Sequence, residues 1–376
     1  MALAIRAALA LGKGEPLAIE DIELDSPERG EVLVRVVASG LCETDIMVRD
    51  EWFPVPLPAV LGHEGAGIVE AVGPGVRRVS PGDHVVLAYS TCGRCDPCRR
   101  RKAPYCDRML ERNLACRRLD GTTGYRRAGA PIGGHFFGQS SFASHTLVDE
   151  RSVVVVPRDA PLEILGPLAC GVQTGAGAVL YGLRPSARSS IAVFGAGLIG
   201  LSAVLAAGVV GCSPIVVVDP NPNRRELALA CGATQAVDAA TEDVVDAVRE
   251  LSSGGVDYSV ETTGNAEVLR SAVDVTAPFG VCGVIGPAPV GTETVLDVNM
   301  LLFGRSVRGI IGGDVDPQRC VPKLVALHQQ GRFPFDRLLR HYTFDEINTA
   351  VADIAVGDVM KPVIHLAGGQ PPAPRL

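Results

Sequence analysis

Four cysteines crowd into the run Cys92-Gly93-Arg94-Cys95-Asp96-Pro97-Cys98 and its sequel, with Cys106 eight residues further on. Thiolates spaced by two, two and seven residues can surround one tetrahedral zinc, because short loops let successive thiols turn inward. Disulfides, an iron–sulfur cluster or unrelated thiols are the alternatives. The tight spacing favours a closed zinc site, which has no open coordination position and serves stability, not catalysis. A second set of chemically able residues is dispersed. In LGHEGAG (61–67), His63 and Glu64 stand among glycines and aliphatics, where an unpaired imidazole or carboxylate is costly to bury. Cys42 in GLCETD and Cys170 in PLACG are isolated, and each by itself reads as a small core residue. Taken together, two cysteines and a histidine make the ligand set of an open zinc site with room for water or substrate.

Phosphate chemistry is announced by Gly195-Ala196-Gly197-Leu198-Ile199-Gly200, which follows a β-branched run and opens a stretch of helical length. Glycines there permit a tight turn and close backbone approach, and the helix N-terminus favours a pyrophosphate. The alternative is a glycine-rich turn without a ligand. Asp219 ends the next apolar run, 19 residues after Gly200. An acid at that place accepts hydrogen bonds from a ribose and repels a 2′-phosphate, which favours NAD over NADP. Arg224 nearby counts the other way.

The elements that must position these residues fall into two textures. The first ~165 residues carry short alternating runs such as EVLVRVVASG (31–40) and GDHVVLAYS (82–90), broken by Pro and Gly, which predict a mostly β region. From about residue 172 strands and helices alternate. Helices are expected over 222–233, ended by Gly232, and over 242–251 and 265–275; strands are expected over 256–264 and 280–286. This rhythm predicts an α/β domain with a doubly wound parallel sheet, which RSVRGII (305–311) could close. A helix near 317–330, a helix opened by the capping box Thr343–Glu346 and a strand at 362–366 follow, and the last ten residues should fray. Residues 189–218 are uncharged over 30 positions, long enough for a membrane, but five glycines and Pro214 divide them into a strand–helix–strand unit.

Composition narrows the class of partner. The 376 residues are 47% hydrophobic and 20% charged with net charge −7, an ordinary globular balance that argues against nucleic acid or anionic membrane as partners. RRRK (99–102) and NRRE (223–226) are short and read as solvated faces. The N-terminal aliphatics, interrupted by Arg6, read as a first strand and not a signal peptide. Eleven cysteines, an odd number, suit a cytoplasmic enzyme with metal sites better than a secreted disulfide scaffold. Cys116, Cys212, Cys231, Cys282 and Cys320 are assigned to core packing.

The motifs GLCETD, LGHEGAG, CxxCxxC-x7-C, PLAC and VFGAGLIG…VVVDPN, in this order across essentially the whole chain, resemble the zinc-containing medium-chain alcohol dehydrogenases. The resemblance implies a GroES-like mostly-β catalytic domain (1–171 and 312–376) with a structural zinc lobe, and a Rossmann domain (172–311). It implies two zincs per chain. Cys42, His63 and Cys170 would hold the catalytic one, with Glu64 beside it and able to approach transiently, and Asp45 orienting His63. Cys92, Cys95, Cys98 and Cys106 would hold the structural one. Thr44 would take the substrate's hydroxyl proton. NAD would be met by Gly195, Gly197, Leu198, Ile199, Gly200, Asp219, Arg224, Thr174 and Lys361, the last as a phosphate contact. HFFGQSSFASHTLV (135–148) and ACGVQTGAGA (169–178) look closest to aryl- or benzyl-alcohol dehydrogenases, implying a primary aromatic or allylic alcohol and its aldehyde as the substrate pair.

Two positions depart from the family pattern. Met47 stands where a proton-passing histidine is frequent, and Glu43 where a basic residue often meets the cofactor. Trp52, Phe53, Phe136 and Phe137 either surround the metal or pack in the core. Competing readings are a zinc-free quinone or enoyl reductase, a thiol-dependent formaldehyde dehydrogenase and a catalytically silent NAD-binding protein. A homo-oligomer, dimer or tetramer, joined near 305–311, is a family expectation.

Overall fold

A computed structural model describes residues 2–357 and 359–366, so the expected frayed tail at 367–376 lies outside the described residues. The chain divides into two compact units, one of Met1–Cys170, Asp316–Gln329 and Asp336–Leu376, the other of Gly171–Val315 and Gln330–Phe335.

The first unit is built on two mostly antiparallel sheets of five and seven strands. Its organising strand is Glu31–Gly40, where Val32, Val34, Val36 and Ala38 alternate inward with the period of two that a half-buried strand requires. Glu64–Val72 pairs antiparallel along one edge, with Gly40 opposite Glu64, and Lys361–His365 pairs at the other, with Val363 opposite Gly40. This register brings three distant stretches of sequence to the end of one strand. The chain then turns at Leu41 into the short helix Glu43–Arg49, with Cys42 at its N-cap. The capping box at Thr343 opens a 3-10 turn that runs on into the helix Ile347–Ala355.

The second unit holds six parallel strands in the spatial order Gln235–Asp238, Ile215–Asp219, Ile191–Phe194, Val256–Glu261, Thr276–Val284, Ser306–Gly309. In chain order this is third, second, first, fourth, fifth, sixth, the doubly wound Rossmann arrangement. The uncharged stretch resolves into strand Ile191–Phe194, helix Leu198–Val210 and strand Ile215–Asp219, because Gly211, with φ +87, ends the helix in a left-handed cap. Among the described residues no single helix is long and apolar enough to cross a membrane. Asn221, Asp243 and Asn265 each cap a helix by accepting backbone N–H bonds. The fifth strand starts at Thr276, four residues before the run read from sequence. A register shift lets Thr276 pair with Val256 although Pro278 and Phe279 point to solvent, Phe279 with a left-handed φ of +66.

Candidate functional site

The first unit gathers Cys42, His63, Glu64 and Cys170 so that one donor atom from each lies within 4.8 Å of the others. Cys42 arrives at a helix N-cap, His63 and Glu64 where a strand begins, and Cys170 after the 3-10 turn Gly166–Ala169. His63 Nε2 stands 3.3 Å from Cys170 Sγ. In a zinc tetrahedron with bonds of ~2.0 Å to nitrogen and ~2.3 Å to sulfur, such donors are about 3.5 Å apart. His63 Nδ1 donates to Asp45 Oδ1 at 2.9 Å, which leaves the Nε2 lone pair directed at the cluster. Asp45 also accepts from the backbone N–H groups of Cys42 and Gly62, so one carboxylate fixes the frames of two ligands. Two sulfurs, an imidazole nitrogen and a carboxylate meet here without a disulfide, His63 and Glu64 buried and the two cysteines half-buried, and this donor set fits a zinc ion.

Glu64 is fully buried. Its Oε1 accepts from Lys361 Nζ at 2.8 Å, while its Oε2 has no partner among the described residues. The carboxylate needs glycine beside it, since a Cβ at Gly40 would meet Oε2 at 2.0 Å. Burial alone would push the Lys361 ammonium down, but the surrounding Cys42, Glu64 and Cys170 hold it above its ordinary value. The resemblance implies a cofactor phosphate contact for Lys361. Here its ammonium is engaged by Glu64 and by the carbonyl of Leu41, 3.1 Å away. Thr44 is half-buried, with Oγ1 3.8 Å from Cys42 Sγ. Glu43 is exposed and Met47 half-buried on the same short helix. Of the four aromatics considered, Phe137 lies 4.7 Å from the His63 ring and Phe136 5.8 Å, centroid to centroid. Trp52 and Phe53 are 71% and 44% exposed.

The four-cysteine lobe is equally compact. Sγ atoms of Cys92 and Cys98, and of Cys95 and Cys106, are 4.0 Å apart, close to the ~3.8 Å sulfur–sulfur edge of a zinc tetrahedron. Backbone N–H groups, Arg94's foremost, bring the Cys92 thiol down to about 6, so a metal displaces its proton readily. Cys95→Ser is expected to lose this zinc alone. Metal analysis should show one zinc fewer than in the parent, and limited proteolysis should cut within 92–118, while the donor cluster at Cys42, His63 and Cys170 keeps its metal. The other five cysteines are all buried.

In the second unit Gly195 adopts φ +93, and a Cβ there would meet Thr262 Oγ1 at 2.6 Å. Gly197 is the N-cap of helix Leu198–Val210 with no side chain covering its first turn, which leaves the N–H groups around Leu198 and Ile199 to a ligand. A Cβ at Gly200 would reach Gly195 O at 1.8 Å, so glycine lets the helix pack on its strand. Asp219, buried at the end of its strand, accepts from the N–H groups of Ala196 and Asn221 at 2.7 and 2.8 Å. The glycine cradle and uncovered helix end fit a dinucleotide. Thr174 lies on helix Gly171–Gly177 of this unit. Arg224 has a buried Nε without a partner among the described residues. Its neighbour Arg225, passed over in the sequence, ties Asp219 O to Asp238. GQSS (138–141) lies inside a run quoted above only for its resemblance, and no role is read there for Gln139, Ser140 and Ser141, which are wholly buried.

Comparison with known proteins places both units. Residues 28–158 match the alcohol dehydrogenase GroES-like domain and residues 199–330 the zinc-binding dehydrogenase domain. Geraniol dehydrogenase of Castellaniella defragrans is 44% identical over 365 residues, covering 96% of this chain and 98% of that protein. Among solved structures, an alcohol dehydrogenase zinc-binding domain protein from Burkholderia ambifaria shares 50% identity with a TM-score of 0.96, over 97% of this chain and all of that one. Benzyl alcohol dehydrogenase from Acinetobacter calcoaceticus shares 44% with a TM-score of 0.94, at the same coverage. With its zinc-type donor cluster and its dinucleotide fold, the chain belongs to the zinc-dependent, NAD(P)-linked medium-chain alcohol dehydrogenases.

Proposed function

We propose that this alcohol dehydrogenase interconverts primary aromatic or allylic alcohols and their aldehydes with NAD, using one zinc held by Cys42, His63 and Cys170 and a second held by the four-cysteine lobe. The observation that carries the reading is the convergence of two thiols and an Asp45-oriented imidazole from three separate stretches of chain. Zinc supplies the Lewis acid that favours loss of the hydroxyl proton, and nicotinamide is the hydride acceptor. The remaining roles belong to the chain. Thr44 Oγ1, beside Cys42, accepts the hydroxyl proton and passes it on. Met47 has no group to carry it further, so the exit runs elsewhere. Asp45 keeps His63 in one tautomer, and Lys361 neutralises Glu64 so that the buried cluster does not carry an unbalanced carboxylate. Asp219, buried at the end of the second Rossmann strand, supports NAD as the cofactor.

Phe137 against His63 supplies an apolar wall, which supports an aromatic or allylic substrate, as do the names of the two 44%-identical relatives. The direct test follows the near-ultraviolet absorbance of reduced nicotinamide with benzyl alcohol, geraniol and sorbitol, alongside a zinc count. Two zincs and fast turnover of the first two alcohols are expected; faster sorbitol oxidation overturns the substrate class. Thr44→Val should lower kcat about a hundredfold or more with both zincs retained, and Thr44→Ser should restore most of it. Equal turnover in the valine variant would remove Thr44 from the proton path.

Six of the eleven cysteines fall in the two proposed zinc sites and the other five are buried singly, none in a disulfide, a usage that supports a reducing cytoplasmic setting. The edge strand Ser306–Gly309 is exposed throughout, and Phe279, Val298, Leu302 and Phe303 of the same unit are 61–82% exposed. Such an edge with an apolar apron supports pairing with a second copy.

A further inference from the structure

We propose that Gln139 is a positioning residue of the metal centre, its carboxamide acting as a one-residue strand that locks the backbone on both sides of Glu64. This rests on the zinc assignment above. The strands Glu64–Val72 and His84–Leu87 pair as a ladder only from Ala66 to Ile68. One position nearer the metal ligands the register would set Gly65 against Leu87, but the two are not ladder partners, and the amide of Gln139 bridges them instead. Its Oε1 accepts from Gly65 N at 3.0 Å, and its Nε2 donates to His63 O at 2.8 Å and to Leu87 O at 3.3 Å. Donor and acceptor on one planar group are what a strand edge offers, and among long side chains only glutamine carries both.

The surroundings are shaped to deliver this group. Gln139 is wholly buried, and its own carbonyl accepts from the hydroxyls of Tyr125 and Thr146, which fixes the backbone it hangs from. Gly65 must be glycine: a Cβ there would stand 2.8 Å from Ser141 Cβ and 3.1 Å from Gln139 Oε1. The segment also holds an uncommon backbone, with His135, Phe137 and Ser140 at φ +59, +51 and +63. Left-handed non-glycine residues are disfavoured and persist where their surroundings over-determine them. Here the same turn that tilts Phe137 onto His63 points the amide of Gln139 between Gly65 and Leu87. The ligand loop is therefore held from outside by a group that touches neither metal nor substrate. Freed of it, His63 and Glu64 could swing together, and the open-site zinc would leave faster.

The test measures zinc transfer to a chelating dye from the loaded protein and from Gln139→Met, Gln139→Glu and Asn348→Leu. Methionine fills the space and makes none of the amide's bonds. Glutamate keeps the acceptor for Gly65 and loses the donor to His63, so it stands in if the methionine variant does not fold. Asn348→Leu removes another side-chain amide of the same unit, one that accepts from Leu17 N and donates to Leu17 O, without touching 63–65 or the turn at 135–141, and so controls for plain destabilisation. Both Gln139 variants should accelerate one of the two release phases about tenfold or more and leave the other unchanged, whereas Asn348→Leu accelerates neither. Release within about twofold of the parent in the Gln139 variants, or equal acceleration in Asn348→Leu, overturns the clamp. A parent protein yielding only one zinc fails the underlying metal assignment instead.

Discussion

Cys170→Ala is expected to abolish alcohol oxidation, lowering turnover at least about a thousandfold, and to halve the zinc content from two per chain to one. An open zinc site needs three protein ligands, and this substitution leaves Cys42 and His63, with the neighbouring Glu64 carboxylate held by Lys361. The lost Lewis acid is worth several kcal/mol of barrier, and each 1.4 kcal/mol is about tenfold in rate. Cys320→Ala supplies the contrast, since Cys320 is a thiol buried more deeply than Cys170 but sits inside helix Pro317–Gln329, outside both donor clusters. It should keep both zincs and most of the activity. Paired with Cys95→Ser, the series separates the two metals by consequence: loss at Cys95 opens a lobe, loss at Cys170 stops the reaction. Two zincs and activity within about tenfold of the parent in Cys170→Ala would refute the proposed ligand set.

The residues differ in how openly the sequence displays them, and the reason is the range over which each geometry is set. The cysteines at 92, 95, 98 and 106 are legible because a tetrahedron of thiols closed by short loops is local chemistry. The Rossmann unit is legible because strands buried on both faces read as continuous apolar runs, such as Ile215–Asp219. Cys42, His63 and Cys170 can be singled out by type, but their meeting depends on the pairing of Gly40 with Glu64 and on a 3-10 turn more than a hundred residues later. Lys361 shows the limit. Its contact with Glu64 spans 297 residues and exists only because Lys361–His365 and Glu64–Val72 flank the same strand. Nothing local to KPVIH announces a carboxylate partner. Gln139 stands in a quoted run, but its proposed role is hidden for a related reason, since sequence cannot show that a ladder bond is missing.

That long-range pair carries the largest stability effect. Glu64 is wholly buried and Lys361 is 3% exposed, so neither charge can fall back on water. A buried pair is weak evidence of net stabilisation over an apolar pair, yet breaking it from one side strands a charge and typically costs about 3–5 kcal/mol. Lys361→Met should therefore lower the urea midpoint of the zinc-loaded protein by an amount worth about that much. Glu64→Gln in the same background should recover most of it, because the remaining amide needs only hydrogen bonds where the carboxylate needed a counter-charge. The double-mutant cycle isolates the coupling from the packing change at each position. A coupling of about 2 kcal/mol or more is expected. If Lys361→Met costs the same with and without Glu64, the lysine serves as a packed stem, and the neutralisation of the metal centre must come from another group.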